Sequence, residues 1–187
     1  MRFLKIQEHF STGYRLRTQH NADSADLTIA IAMDFSTAGE RLTKSVAVAN
    51  GEEKYLPCYF TRDAQDFAQE LEEYMHKHNF TSLNIAGNGI YTMDSYGYNQ
   101  EDVNKWMLTV LTHLKSSSNV SLDFVVSGGQ SGVDFAGGVA ATVLDIPCTM
   151  TLPRGFKQRW EDGKDVNHTK FAVQQRLMMF VRSMKDA

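Results

Sequence analysis

The chain has few of the features that mark special protein classes. Its 187 residues hold three prolines and two cysteines, and no apolar run approaches the roughly 18–20 residues that a membrane span needs. Cys58 and Cys148 have no paired spacing, and the six histidines are not spaced as metal ligands. We therefore expect no metal site and no redox pair, but two free, buried thiols.

The chain also has no large excess of charge of either sign. The formal net charge is −3, whereas proteins that bind nucleic acid normally carry a basic excess. Residues 1–9 mix charges into the apolar positions and lack the continuous apolar core of a secretory signal. These absences predict a cytoplasmic protein with no nucleic-acid partner and no membrane partner.

Short apolar runs alternate with longer amphipathic segments. The runs at 27–33, 55–60, 82–86, 122–126 and 146–152 are predicted strands. Helical spacing occurs at 38–49, 64–78, 100–115, 133–144 and about 168–184, with a short helix expected within 13–21. The alternation predicts an α/β, Rossmann-like open parallel sheet of about five or more strands with helices on both faces. We expect residues 1–187 to form one domain.

In such a sheet, ligands bind where loops leave the carboxyl ends of the strands. The loop after residues 122–126, here called the glycine turn, consists of Ser127, Gly128, Gly129, Gln130, Ser131 and Gly132, with Asp134 in the helix that follows. Glycines let a ligand approach the main chain, and a helix N-terminus offers N–H groups and a positive dipole end. We therefore expect a phosphate here; a tight strand-to-helix turn without ligand is the alternative.

Two further loops follow predicted strands. One carries Ser36, Thr37, Gly39 and Glu40, and the other carries Gly87, Asn88 and Tyr91. Glu40 is available for a ribose or a water and Tyr91 for stacking on a base, although helix capping alone would explain Ser36 and Thr37. Two cations complete the predicted ligand-binding set, Arg17 and Arg154. Arg154 belongs to the basic loop at 153–163, and the alternative for that loop is an ordinary solvated surface.

Several blocks of the sequence resemble the molybdenum-cofactor carrier family of the SLOG superfamily. The first is Ser127-Gly-Gly-Gln-Ser-Gly-Val-Asp134, followed by Pro153-Arg-Gly155 and Glu161-Asp-Gly163. Weaker blocks lie at 14–18, 37–43, 83–87 and 89–91. In that family the S-G-G-Q block opens the chain, whereas here it follows the others. Such a circular permutation keeps the sheet and its ligand edge.

The resemblance implies a Rossmann-like SLOG domain that binds a phosphorylated, nucleotide-derived small molecule, such as an ADP-ribose-type or cyclic nucleotide signal. It also implies self-association, so we expect a homo-oligomer. Two alternatives stay open: a molybdenum-cofactor carrier, and a phosphoribohydrolase-like enzyme acting on nucleoside monophosphates with Glu40 or Asp134 as acid or base. Ala38-Gly39-Glu40 stands where the carrier family has Gly-Gly-Thr, which places a carboxylate where a neutral group would meet an anion.

Overall fold

A six-stranded parallel sheet forms the centre of the computed structural model, which describes residues 3–186. The strands are β1 (Leu4–Glu8), β2 (Leu27–Ala32), β3 (Tyr55–Tyr59), β4 (Ser82–Gly87), β5 (Phe124–Ser127) and β6 (Cys148–Leu152). They lie in the order β1-β6-β5-β4-β2-β3, and all neighbouring pairs are parallel. The predicted Rossmann-like α/β fold is confirmed.

Helices connect the strands and cover both faces of the sheet. Within residues 3–186 they are α1 (Tyr14–Asp23), α2 (Ala38–Val48), α3 (Ala64–His78), α4 (Ile90–Asp94), α5 (Gln100–Ser116), α6 (Val133–Val143) and α7 (Lys170–Asp186). Because parallel crossovers are right-handed, α1 and α2 lie on one face and α3, α5 and α6 on the other. The packing agrees, since α1 contacts α2, α5 contacts α3 and α6, and α7 contacts α6.

The two faces of the sheet carry different side chains. Along β2 and β4, large apolar residues alternate with small or polar ones, and successive side chains point to opposite faces. The large residues join the main core: Leu27, Ile29, Ile31, Leu83 and Ile85. The alternate positions, which face α1 and α2, hold Thr28, Ala30, Asn84 and Ala86. These smaller side chains leave room between the sheet and the two helices.

Some elements were not predicted. The edge strand β1 mixes Lys5 and Glu8 with apolar residues and buries only Ile6 well, so it gives no continuous apolar run. Helix α4 and the antiparallel hairpin of β7 (Gln158–Arg159) and β8 (Asp165–Val166) are too short to show a period.

Most predicted ends of strands and helices agree with the structure to within two residues. Strand β6 begins at Cys148 rather than at 146, because the Ile146 N–H donates to Ala141 O and so closes the end of α6. Both cysteines are free and buried, as expected. None of the helices in residues 3–186 combines the length and the apolar character required to span a bilayer.

Candidate functional site

A cleft of about 480 Å³ lies between the sheet and helices α1 and α2, at the carboxyl ends of β4 and β5. The structure brings ten of the predicted site residues into its wall: Arg17, Thr37, Gly39, Glu40, Gly87, Asn88, Tyr91, Gly128, Gln130 and Asp134. The three predicted loops therefore meet at one edge of the sheet.

Arg17 and Asp134 form a buried ion pair in the wall of this cleft. Arg17 Nη1 lies 3.3 Å from Asp134 Oδ2, and the two side chains are 10% and 7% exposed. The Asp134 carboxylate also accepts the backbone N–H groups of Gly87 and Gln130. Burial raises the pKa of Asp134 to about 6, although Arg17 and these hydrogen bonds act in the opposite direction. The carboxylate is thus ionised at neutral pH and occupied by partners from the protein itself.

This ion pair explains why the residue at position 128 is a glycine. A Cβ at Gly128 would overlap both Arg17 Nη1 and Asp134 Oδ2. Its neighbours are constrained as well, because Gly129 has φ +65° and a Cβ at Gly132 would overlap Asn88 O. Close internal packing, rather than the approach of a ligand, accounts for the glycines of the turn.

Four amides of the glycine turn, those of residues 129–132, are hydrogen-bonded within the protein. Gly129 N donates to Ser127 Oγ and Gln130 N to the Asp134 carboxylate. Ser131 N donates to Gln130 Oε1 and Gly132 N to Gln100 Oε1. At these four positions the amides are not free for a phosphate, because the protein's own side chains take the positions of an anion. Ser127, Gly129, Ser131 and Gly132 lie outside the cleft lining.

Free amides occur instead at the start of α2. Thr37 caps this helix, since its Oγ1 accepts from Glu40 N at 3.2 Å. The N–H groups of Ala38 and Gly39 precede the first intrahelical bonds, and within residues 3–186 neither has an acceptor. A Cβ at Gly39 would meet nothing within 4 Å. This turn therefore presents open N–H groups and the positive end of α2 beside the cleft.

Glu40 belongs to the same helical turn and is 3% exposed. Its Oε1 accepts from Asn88 Nδ2 at 3.3 Å, and its Oε2 has no partner among the described residues. Burial, followed by the charge of Asp134, raises the pKa of Glu40 to about 8, and the hydrogen bond from Asn88 opposes the rise. Glu40 therefore keeps its proton at neutral pH.

Four cleft-lining residues each have a buried polar atom without a hydrogen-bond partner within residues 3–186. These atoms are Arg17 Nε, Asn21 Nδ2, Glu40 Oε2 and Asn84 Oδ1. Leaving a buried polar group unpaired costs roughly 1–3 kcal/mol, so four of them in one cleft mark a place where a polar ligand would stabilise the protein.

Asn21 and Asn84 were not among the predicted site residues. Asn84 Nδ2 donates to Thr28 Oγ1 at 3.1 Å, which leaves its Oδ1 free. The alternation of Leu83, Asn84 and Ile85 along β4 was the available signal, because it turns the amide away from the core.

The hairpin formed by β7 and β8 closes one side of the cleft mouth. The Arg159 side chain is 48% exposed and its Nε donates to Asp165 Oδ1 at 3.1 Å. Tyr14 donates to the same oxygen at 2.9 Å, and the Arg159 N–H donates to Gln130 Oε1 at 2.6 Å. These bonds fix the hairpin to α1 and to the glycine turn. Arg159 therefore stands at the cleft, although it was not selected from the sequence.

Two other predicted residues lie outside the cleft, and a third lies at its rim. Arg154 is exposed and absent from the lining, because the chain reverses at Gly155, where φ is +81°. Ser36 is likewise exposed and outside the lining. Tyr91 is 55% exposed at the mouth and packs against Gly163 of the hairpin turn.

The first part of the chain matches a known family. The family model described as the circularly permutated YpsA SLOG family matches residues 1–102, more than half of the 187 residues. The matched part contains Arg17, Glu40 and Asn84, whereas the glycine turn and the hairpin lie beyond it. No curated protein and no solved structure gave a match.

Proposed function

Since the chain belongs to the circularly permuted YpsA SLOG family, we propose that its cleft binds a phosphorylated, nucleotide-derived small molecule. The volume of about 480 Å³ lies within the roughly 300–1,000 Å³ common for small-molecule sites. The position at the carboxyl edge of a parallel sheet is where this class of fold takes ligands. An ADP-ribose-type or cyclic nucleotide signal is the ligand class we expect.

The observation that carries this proposal is the set of unpaired polar atoms in the cleft. Arg17 Nε and Asn21 Nδ2 are donors one helical turn apart on α1, and Asn84 Oδ1 is an acceptor on the sheet. A sugar or base carries donors and acceptors close together and would satisfy both kinds. A purely apolar ligand would leave them unpaired, so a polar ligand is favoured.

The phosphate would lie at the first turn of α2. Ala38 and Gly39 have free N–H groups there, and the helix dipole favours an anion. Arg159 adds a cation at the mouth, and the half-exposed ring of Tyr91 offers a surface for a base. This assignment differs from the sequence-based expectation, in which the glycine turn binds the phosphate. In our proposal the first turn of α2 binds the phosphate, and the glycine turn forms part of the cleft wall.

Calorimetry against ADP-ribose, cyclic ADP-ribose isomers and nucleoside monophosphates tests this function. Asn84→Ala should weaken binding about five- to tenfold, because one buried hydrogen bond contributes roughly 1 kcal/mol. Asn104→Ala is the matched control: Asn104 is also buried with an unpaired amide nitrogen, but it lies on α5 away from the cleft. Absence of heat with every compound, in protein shown to be folded, would contradict the proposal.

A phosphoribohydrolase-like activity is the second candidate, and Glu40 is the observation that favours it. A carboxylic acid whose pKa is raised to about 8 is protonated near neutral pH, as a general acid must be. Asp134 does not suit this role, because Arg17 and two backbone N–H groups already engage its carboxylate. Incubation with nucleoside monophosphates would show released base and ribose phosphate. Glu40→Gln should then abolish turnover and keep binding.

The residues of the cleft do not provide a metal site for the molybdenum cofactor. Cys58 and Cys148 are buried in β3 and β6 and do not line the cleft, so no thiolate is placed to ligate a metal there. Within residues 3–186, no three His, Cys, Asp or Glu side chains group as a metal site.

A further inference from the structure

The first turn of α2 combines two features that conflict if both are charged. The N–H groups of Ala38 and Gly39 are open to an anion, and the carboxyl group of Glu40 lies in the same turn and lines the same cleft. An anionic ligand beside an ionised carboxylate would be repelled, because like charges at this range strongly disfavour each other. A neutral Glu40 removes the repulsion.

We propose that Glu40 binds the ligand as a carboxylic acid, donating its Oε2–H to an anionic oxygen, so that binding at alkaline pH takes up one proton from solution. This inference rests on the proposed binding function and specifies the ligand's buried end, which must present acceptors such as phosphate oxygens. The proton sits on Oε2 because Oε1 accepts from Asn88 Nδ2, whereas Oε2 has no partner among the described residues.

The groups around Glu40 support the neutral form. Asp134 of α6 and Asp34 before α2 are acidic, and Tyr55 of β3 is neutral since burial raises its pKa to about 12. The buried cation Arg17 of α1 is bonded to Asp134. The other charged side chains of α1 and α2 are exposed: Arg15, His20, Asp23, Arg41 and Lys44. Burial then raises the pKa of Glu40 to about 8.

With Glu40 protonated, donors outnumber acceptors in the cleft. Arg17 Nε, Asn21 Nδ2 and Glu40 Oε2–H are side-chain donors, and the α2 turn adds two backbone N–H groups. Asn84 Oδ1 is the acceptor among the unpaired atoms of the cleft. Phosphate oxygens accept hydrogen bonds and do not donate when ionised, so Glu40 Oε2–H and the two backbone N–H groups suit a phosphate better than an amine or an amide N–H edge.

Proton uptake is measured by calorimetry with AMP and ADP-ribose in two buffers of different ionisation enthalpy, from pH 7.5 to 9. Asp134, with its pKa of about 6, and the AMP phosphate, which titrates near pH 6, are already ionised in this window. Uptake should rise toward one proton at pH 9, and affinity should fall about tenfold per pH unit above 8.

Glu40→Gln keeps a hydrogen-bond donor and removes the proton. We expect it to bind without proton uptake and with an affinity that does not change from pH 7 to 9. Glu52→Gln, at an exposed glutamate, should behave as the wild type. Binding without proton uptake, or a Glu40→Gln variant that retains the pH dependence, would overturn this inference and leave the binding function intact. Failure of both probes to bind folded protein at any pH would overturn both.

Discussion

The Glu40→Gln substitution should change how the stability of the free protein depends on pH. The ordinary pKa of a glutamate is 4.5, and burial raises that of Glu40 to about 8. Between these two values the folded protein holds a proton that the unfolded chain has released, so the free energy of unfolding falls as pH rises. The slope is about 1.4 kcal/mol per pH unit and flattens near pH 8, so the loss from pH 6 to 8 is about 2 kcal/mol.

Urea unfolding followed by circular dichroism measures this effect at pH 6, 7 and 8. The wild type should lose about 2 kcal/mol more than Glu40→Gln over the range, since glutamine does not titrate. Asp134 is present in both proteins, and its titration near pH 6 largely cancels in the difference. Glu52→Gln, an exposed substitution of the same kind, should follow the wild type. Parallel curves for wild type and Glu40→Gln would refute the reasoning, because Glu40 would then ionise at an ordinary pH.

Two further pairs of substitutions separate packing from binding. Gly128→Ala should lower the free energy of unfolding by about 3 kcal/mol or more, since its Cβ would break the buried ion pair. Gly39→Ala should change this free energy by less than about 1 kcal/mol, because a Cβ there meets open space. Equal urea midpoints for the two variants would contradict this prediction. Arg159→Ala should weaken ADP-ribose binding about threefold or more by calorimetry, whereas Arg154→Ala should not; the reverse order would exclude the hairpin from the site.

The fold was largely predictable because five of the six strands are short, mainly apolar runs. Strands β2 to β6 are recognisable in this way, and the helices between them show a clear period. Strand β1 was not, because Lys5, Gln7 and Glu8 interrupt its apolar residues. Its place in the sheet depends on contacts with residues 148–152, far along the chain, which no local pattern reports.

The site was predictable to the level of loops, but not of individual contacts. Glu40, Asn88 and Gln130 lie in or directly after the predicted strand-end loops, and they line the cleft. Asn84 lies within a strand, so a search confined to loops passes over it. Arg159 depends on a hairpin of two-residue strands and on its bond to Asp165, neither of which has a local sequence pattern.

The two helix starts at the sheet edge differ in which groups reach their amides. Gln100 Oε1 bonds Gly132 N at 2.6 Å from a helix 32 residues away in sequence, and the Asp134 carboxylate bonds Gln130 N. An anion at the glycine turn would have to displace these acceptors and lie beside the buried Asp134 carboxylate, whose charge would repel it. At the start of α2, Ala38 and Gly39 need lose no partner, and the nearby carboxyl of Glu40 is neutral. Anion binding is therefore expected at α2, even though the glycine turn has the more conspicuous sequence.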